Sequence, residues 1–334
     1  MKKLVILSCL LVLAGCVKNL KNNQSSENRV EMGVVSLGVR FDDTATKALT
    51  EYNTALESEK AVRRICFLAF DKNTGALNAF KVVSSADDVC EMTLPVGEKV
   101  IYALVNGPYP GYVTRIEQMD DLLDEFSTEG MDEYGLTLIG RDEFAVTAGE
   151  ENELETVTVS WLVSRVVLTS VTCNLPDQYG EMLLECVYLG NANTSQTFAG
   201  VTDGMVNING CAVDGGYIGQ DGVTGDYDSY LYRSVGETIY TGEFTDRKFH
   251  MYCQPNASDT YTCVYLLVSI DGSRYYYRVP LTEGLSANTT CSVDVRITNL
   301  GSPTPPDGDM IKGEIEAKIA FDDWIAGNSY VAEF

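Results

Sequence analysis

The chain has 334 residues, 45% of them apolar and 22% charged, with a formal net charge of -24. That length suffices for two ordinary domains with cores of their own, and that apolar content excludes a disordered polymer. So acidic a chain repels nucleic acid and anionic lipid headgroups, which excludes both as partners, and it keeps an exposed protein soluble.

In chain order, Met1-Lys2-Lys3 is a short basic start, residues 4–13 are almost unbroken apolar sequence, and Leu13-Ala14-Gly15-Cys16 closes the run. The pattern is that of a bacterial export signal ending in a lipobox: residues 1–15 are removed and Cys16 becomes a lipidated N-terminus. The run is too short to span a bilayer permanently and ends at small residues rather than a stop-transfer charge cluster. The mature chain is thus expected to be exported and held to a membrane by acyl chains.

Residues 18–28 are polar, lack apolar periodicity and read as a flexible tether. Met32 to Phe41 then alternates, with Val35, Leu37, Val39 and Phe41 on one face, which predicts a strand. Residues 42–60 are polar with a weakly helical middle. The dense apolar run Ile65 to Phe70 is a strand ended by the turn Asp71-Lys72-Asn73-Thr74-Gly75, and residues 99–105 form another strand ended at Asn106-Gly107-Pro108. Residues 113–126 carry Ile116, Met119, Leu123 and Phe126 at helical spacing and predict a helix. Strands follow at 156–161 and 165–171, with a domain boundary near Val163, and then at 183–189, 248–253, 262–270, 275–279 and 291–298. A proline-rich break at 301–309 precedes a last long strand region, 314–334. Short strands, frequent turns and little helix predict an all-β protein with minor helix, built from β-sandwiches.

Of the ten cysteines, Cys9 lies in the signal and Cys16 takes the lipid. Cys173/Cys186 and Cys253/Cys263 each flank a turn-rich stretch, so each pair has the option of bridging a hairpin after export; the alternative is buried free thiols acting as small hydrophobes. His250 is the single histidine and sits in a predicted strand, which favours a partly buried structural role over catalysis. No GxSxG, HExxH, CxxC or phosphate-binding glycine loop is present, and adjacent carboxylates such as Asp120/Asp121 and Asp322/Asp323 read as solvated surface in so acidic a chain. The Asp- and Gly-rich stretch around Asp214, Asp221, Asp226 and Asp228 lacks the spacing and closing glutamate of an EF-hand loop and reads as a solvated loop. No metal, cofactor or enzymatic activity is expected.

The two ends stand apart. The final segment alternates, with Ile315, Ala317, Ile319 and Phe321 on one face, and runs past Trp324 to Tyr330, Ala332 and Phe334. A spare strand with an apolar face is what one subunit lends to a sheet groove of another; the alternative is that it completes its own domain.

Several stretches together resemble the major fimbrillins of the Bacteroidales, the type V pilins. They are Phe70-Asp71-Lys72-Asn73-Thr74-Gly75-Ala76-Leu77, Val96-Gly97 to Tyr102-Ala103-Leu104-Val105-Asn106, Leu162-Val163-Ser164-Arg165-Val166, Tyr252-Cys253-Gln254-Pro255-Asn256, Tyr275-Tyr276-Tyr277 and Ile297-Thr298-Asn299-Leu300-Gly301-Ser302. The resemblance spans nearly the whole mature chain. It implies two tandem transthyretin-like β-sandwich domains, here 48–162 and 163–334, preceded by a tether and first strand, 16–47, that maturation removes. It implies a lipoprotein precursor carried to the outer membrane, cut by a trypsin-like protease, and polymerised by strand exchange into a surface fimbrium for adhesion. A neighbour's C-terminal strand, with Ile325, Tyr330, Ala332 and Phe334, would replace Val35, Leu37, Val39 and Phe41. The implied partners are copies of the chain itself, anchor and tip fimbrial subunits, the protease, and the outer membrane through the lipid on Cys16. Where the family shows arginine in the cleavage loop this chain has Lys47, so the expected cut follows Lys47, with Arg40 second. An uncut chain would serve as a lipid-held fimbrial anchor. A separate reading is a glycan-binding surface lipoprotein using Tyr275, Tyr276, Tyr277, Trp161 and Trp324 as a stacking platform.

Overall fold

A computed structural model describes residues 30–42, 52–86, 88–125, 135–149, 151–200, 202–206, 212–213, 216–219, 222–223, 230–303 and 315–325. The expectations for Cys16, Lys47, Tyr330, Ala332, Phe334 and most of the Asp- and Gly-rich stretch lie outside these residues.

Almost every element is a strand. β1 (Met32–Phe41) is followed by β2 (Ile65–Asp71), β3 (Leu77–Val83), β4 (Cys90–Pro95) and β5 (Gly97–Val105). A 3-10 turn (Ile116–Met119) leads to β6 (Leu123–Glu125), β7 (Leu138–Val146), β8 (Glu151–Trp161) and β9 (Ser164–Cys173). β10 (Glu181–Gly190), β11 (Ala192–Thr197) and β12 (Thr202–Val206) precede three short strands, β13 (Ala212–Val213), β14 (Gly216–Gly219) and β15 (Gly222–Val223). The chain continues through β16 (Tyr232–Tyr240), β17 (Phe244–Thr245), β18 (Phe249–Cys253), β19 (Cys263–Ile270), β20 (Ser273–Pro280), β21 (Thr289–Ile297) and β22 (Ile315–Asp323).

The first sheet has the order β3-β2-β5-β7-β8-β1-β4. β7 and β8 meet at only two residue pairs, Leu138 with Trp161 and Ile139 with Ser160. Beside that join a side chain on Gly140 would stand 2.2 Å from the carbonyl oxygen of Thr158, so glycine lets the two strands cross closely where the sheet folds over. The two halves then bury one cluster between them, including Val35 and Leu37 of β1, Phe67 of β2, Leu94 of β4, Ile101 of β5 and Val159 of β8. β2 is apolar from Ile65 to Phe70 because both its faces are covered: Cys66, Leu68 and Phe70 enter a second cluster with Leu104, Met119 and Leu122. The later strands form β16-β10-β19-β20 and β17-β9-β21-β22, with β18 also paired to β9, and these bury a third cluster that includes Leu168, Leu184, Leu266 and Val293. Strand β6 pairs with β11 and so links the first part of the chain to the second. β22 closes its sheet as an edge strand with residues 316–320 exposed and Phe321 partly buried against the core.

The structure corrects one sequence expectation. No helix spans 113–126. Met119 and Leu122 are buried, Leu123 is exposed, and the chain after the 3-10 turn extends to pair with β11. The strand pairing overrides a helical spacing that was real but short. Neither hairpin disulfide forms: Cys173, Cys186, Cys253 and Cys263 are free and buried, as are Cys66, Cys90 and Cys291. The reason is topological, since β9 and β10, like β18 and β19, lie in different sheets rather than in one hairpin ladder. Burial pushes the Cys90 thiol up to about 11 and those of Cys186 and Cys253 up to about 12. Little thiolate exists at these three positions at neutral pH, so these groups are inert. Peptide mapping after alkylation is therefore expected to show these seven cysteines unlabelled in the folded chain and labelled in denaturant; rapid native labelling would contradict the burial.

Candidate functional site

The sequence alternation of β1 becomes a buried face. Val35 and Leu37 are fully buried, Phe41 is 4% exposed and Val39 8%, whereas Val34 on the opposite face is 40% exposed. Each such burial contributes about 1.5–3 kcal/mol, so the strand is held mainly by four side chains. β1 runs antiparallel to β4, from Met32 opposite Pro95 to Leu37 opposite Cys90. On its other side it runs parallel to β8, with Arg40 opposite Thr158 and Phe41 opposite Val159. Neither neighbour is joined to it by a hairpin. Arg40 is exposed, and its Nε donates to Thr158 Oγ1 at 2.9 Å.

Past Phe41 the slot that β1 fills ends at a buried polar and aromatic junction. Glu59 and Arg165 are both fully buried and paired, with Arg165 Nη1 donating to Glu59 Oε2 at 2.8 Å. Arg165 also donates to the carbonyls of Thr54 and Tyr52 and to Thr290 Oγ1. Glu59 further accepts from Tyr252 OH at 2.5 Å and from the Leu56 amide at 2.6 Å. Burial holds the Glu59 carboxyl above the usual carboxylate range, opposed only in part by Arg165, Tyr252 and the Leu56 amide. Trp161, at the end of β8, donates through its indole to the Glu59 carbonyl and stacks on Trp324 with ring centres 4.4 Å apart and planes 10° apart. The Arg165 guanidinium lies 4.7 Å from the Trp324 ring centre. Ile325 is buried and pairs with residues 53–55: Ala55 N donates to Ile325 O at 2.7 Å and Ile325 N to Asn53 O at 2.9 Å.

Of the sequence-predicted residues, the structure thus brings Val35, Leu37, Val39 and Phe41 together on one buried face and places Ile325 in its own chain beside that face's end. Glu59 was not singled out by the sequence, because one acid in a polar stretch carries no signal. The aromatic platform is not on the surface: Trp161, Trp324, Tyr276 and Tyr277 are each at most 2% exposed. Among the described residues no group of three or more His, Cys, Asp or Glu is arranged to hold a metal ion.

Two consequences are measurable. Removing one partner of a buried pair leaves a charge uncompensated, so Arg165→Met is expected to cost about 3–5 kcal/mol in chemical denaturation, with part recovered in the double variant Glu59→Met/Arg165→Met. Burial, reinforced by Arg165, Arg233 and Lys248, lowers the His250 imidazole to about 4. The unfolded chain then takes up this proton first, near pH 6.5, so stability falls as pH drops from about 6.5 to 4, by at most about 2 kcal/mol at pH 5. His250→Gln is expected to flatten that slope between pH 7 and 5.

No family model matches the chain, and no curated protein matches its sequence. Solved structures with similar folds include a protein from Bacteroides eggerthii provisionally classed in cell adhesion, with a TM-score of 0.61 and 16% identity over 88% of this chain and 96% of that one. A fimbrilin from Porphyromonas gingivalis gives a TM-score of 0.57 and 13% identity over 87% of this chain and 98% of that one. The C-terminally truncated tip fimbrial protein Mfa3 from Porphyromonas gingivalis gives 0.51 and 15% over 87% and 100%. The chain is therefore an all-β protein with the fold of these fimbrial and adhesion proteins, matched along nearly their whole length.

Proposed function

We propose that the chain is a structural fimbrial subunit of the Bacteroidales fimbrillin type, exported as a lipoprotein on Cys16, cut after Lys47, and polymerised at the cell surface by strand exchange. The observation that carries this reading is β1: an apolar strand in the middle of a sheet, with no hairpin to either neighbour. Its only chain connection to the body runs through residues 42–64, which include Lys47. Once that connection is cut, β1 is held by non-covalent contacts alone, and its departure uncovers a slot lined by β4 and β8. An emptied slot of that kind is relieved by strand addition, in which backbone bonds give affinity and alternate side chains give register. Arg40 is a poor second cleavage site, because its backbone is held in register against Thr158 of β8 and its side chain donates to that residue, whereas a protease needs a segment free to enter its cleft. The tail beyond Ile325, with Tyr330, Ala332 and Phe334, alternates as the replaced strand does, which supports a neighbour's tail as the occupant. The matched neighbours named as fimbrilin and tip fimbrial protein support the same role and a non-enzymatic one. The division at Val163 into domains 48–162 and 163–334 is supported by two large buried clusters, whose chief crossings are Tyr230, Tyr252 and Trp324.

The test is limited digestion of the purified precursor with a trypsin-like protease, followed by N-terminal sequencing and electron microscopy. A new N-terminus at Ala48 and filaments are expected, with Lys47→Gln blocking both and Arg40→Gln blocking neither. Deleting residues 326–334 is expected to permit cutting but not filaments. A persistent monomer after complete cutting overturns polymerisation, and a chain that stays uncut and lipidated favours the anchor role.

A further inference from the structure

Three rings connect the end of β1 to the last described residues of the chain. Phe41, the final residue of β1, lies 5.7 Å from Trp161. Trp161 stacks on Trp324, and the two are the chain's only tryptophans. Trp324 immediately follows β22 and immediately precedes Ile325, whose backbone is fastened to residues 53–55. The Trp324 seat has a built-in weakness: its indole N–H is buried and has no hydrogen-bond partner among the described residues. An orphaned donor of that kind is disfavoured relative to one in water, so the side chain stays seated through ring contacts and the Arg165 guanidinium, not through its polar group. Any loss of support on the Trp161 side therefore acts on a position that gains a hydrogen bond by leaving.

We infer that occupancy of the β1 slot and seating of Trp324–Ile325 are energetically coupled through Phe41 and Trp161, so that the root of the C-terminal segment loosens when β1 departs. Such a device keeps Trp324 and Ile325 fastened in the precursor and loosens them in a subunit whose own slot is open. The two packed rings and the fastened backbone form an element that both ends of the chain bias, and linkage requires the effect to run both ways. The use of this coupling rests on the strand-exchange reading above; its existence does not, since it is measured in the uncut, unpolymerised chain.

The amides of Trp324 and Ile325 donate to Asn288 O at 3.1 Å and Asn53 O at 2.9 Å, so their hydrogen exchange reports the seat directly. In the full chain, Phe41→Ala is expected to speed exchange at these two amides about tenfold relative to amides of β22, within the range of contact couplings. It is also expected to weaken the near-ultraviolet circular dichroism of the stacked tryptophans. Val35→Ala, which opens the far end of the same buried face, is the control and is expected to leave the ratio unchanged. Conversely, Trp324→Phe is expected to speed exchange of the Asp42 amide, which donates to Val159 O at 2.9 Å. Equal effects of Phe41→Ala and Val35→Ala at matched loss of overall stability, or no effect of Phe41→Ala, overturn the coupling. Should Phe41→Ala fail to fold, Phe41→Leu removes the ring contact while keeping the site apolar, and the same comparison decides. Filaments that form normally without this coupling leave the strand-exchange reading intact; coupling found in a chain that never polymerises leaves the device without that use.

Discussion

A fully buried ion pair, Glu59 with Arg165, organises the place where the chain's distant parts meet. Burying two charges is costly, and the cost is offset here because nearly every donor and acceptor of the pair is engaged: by Tyr252, the Leu56 amide, the carbonyls of Tyr52 and Thr54, and Thr290. A pair of this kind tolerates one geometry. It therefore fixes the segment 52–61, the start of β9 and the ring of Trp324 relative to one another. Trp161 joins the same group through the Glu59 carbonyl, which brings the end of β8 into it. The slot of β1 is thus a groove with one rigid end.

That rigidity separates two questions that a sandwich usually answers together. The apolar face of β1 determines how strongly the slot is filled. The junction determines the shape of the slot's end and of the chain around Trp324 and Ile325. Segment 52–61 is held by Arg165 through the carbonyls of Tyr52 and Thr54, and those bonds do not depend on the chain's continuity at residue 47.

Much of this was legible in the sequence, for identifiable reasons. β1, β2 and β5 announce themselves because period-two alternation, or unbroken apolar sequence, follows directly from one or two covered faces. The stretches that carry the family resemblance turn out to hold buried or conformationally demanding polar groups. Asp71 caps its own turn by accepting from Asn73 and Thr74 amides, and Asn106, at φ 56°, ties residues 61–64 to Leu136. Gln254 donates to Asp124 at 2.6 Å, and Tyr277 OH donates to Asn299 O at 2.7 Å. What failed was anything that depends on which sheet a strand joins. The residues at 113–126 have helical spacing, but Leu123–Glu125 are claimed by β11, and the paired cysteines flank turns that pass between sheets. Glu59 was invisible because a buried acid differs from a solvated one only by its partners, which come from far along the chain.

The sequence separation of β1 from its partners has a kinetic consequence. Arg40 touches Thr158 across 118 residues, so the slot lacks one wall until β8 has been made and placed. Loop closure over such a distance is slow, and contacts of this kind form late. β1 leaves the ribosome before every other described strand, yet it must wait, unpaired on one side, for the strand that completes its seat. Its insertion is thus a docking event between preformed partners, not the zipping of a hairpin. A seat that folding fills in this way does not require covalent continuity with its occupant, only an apolar strand present at sufficient local concentration.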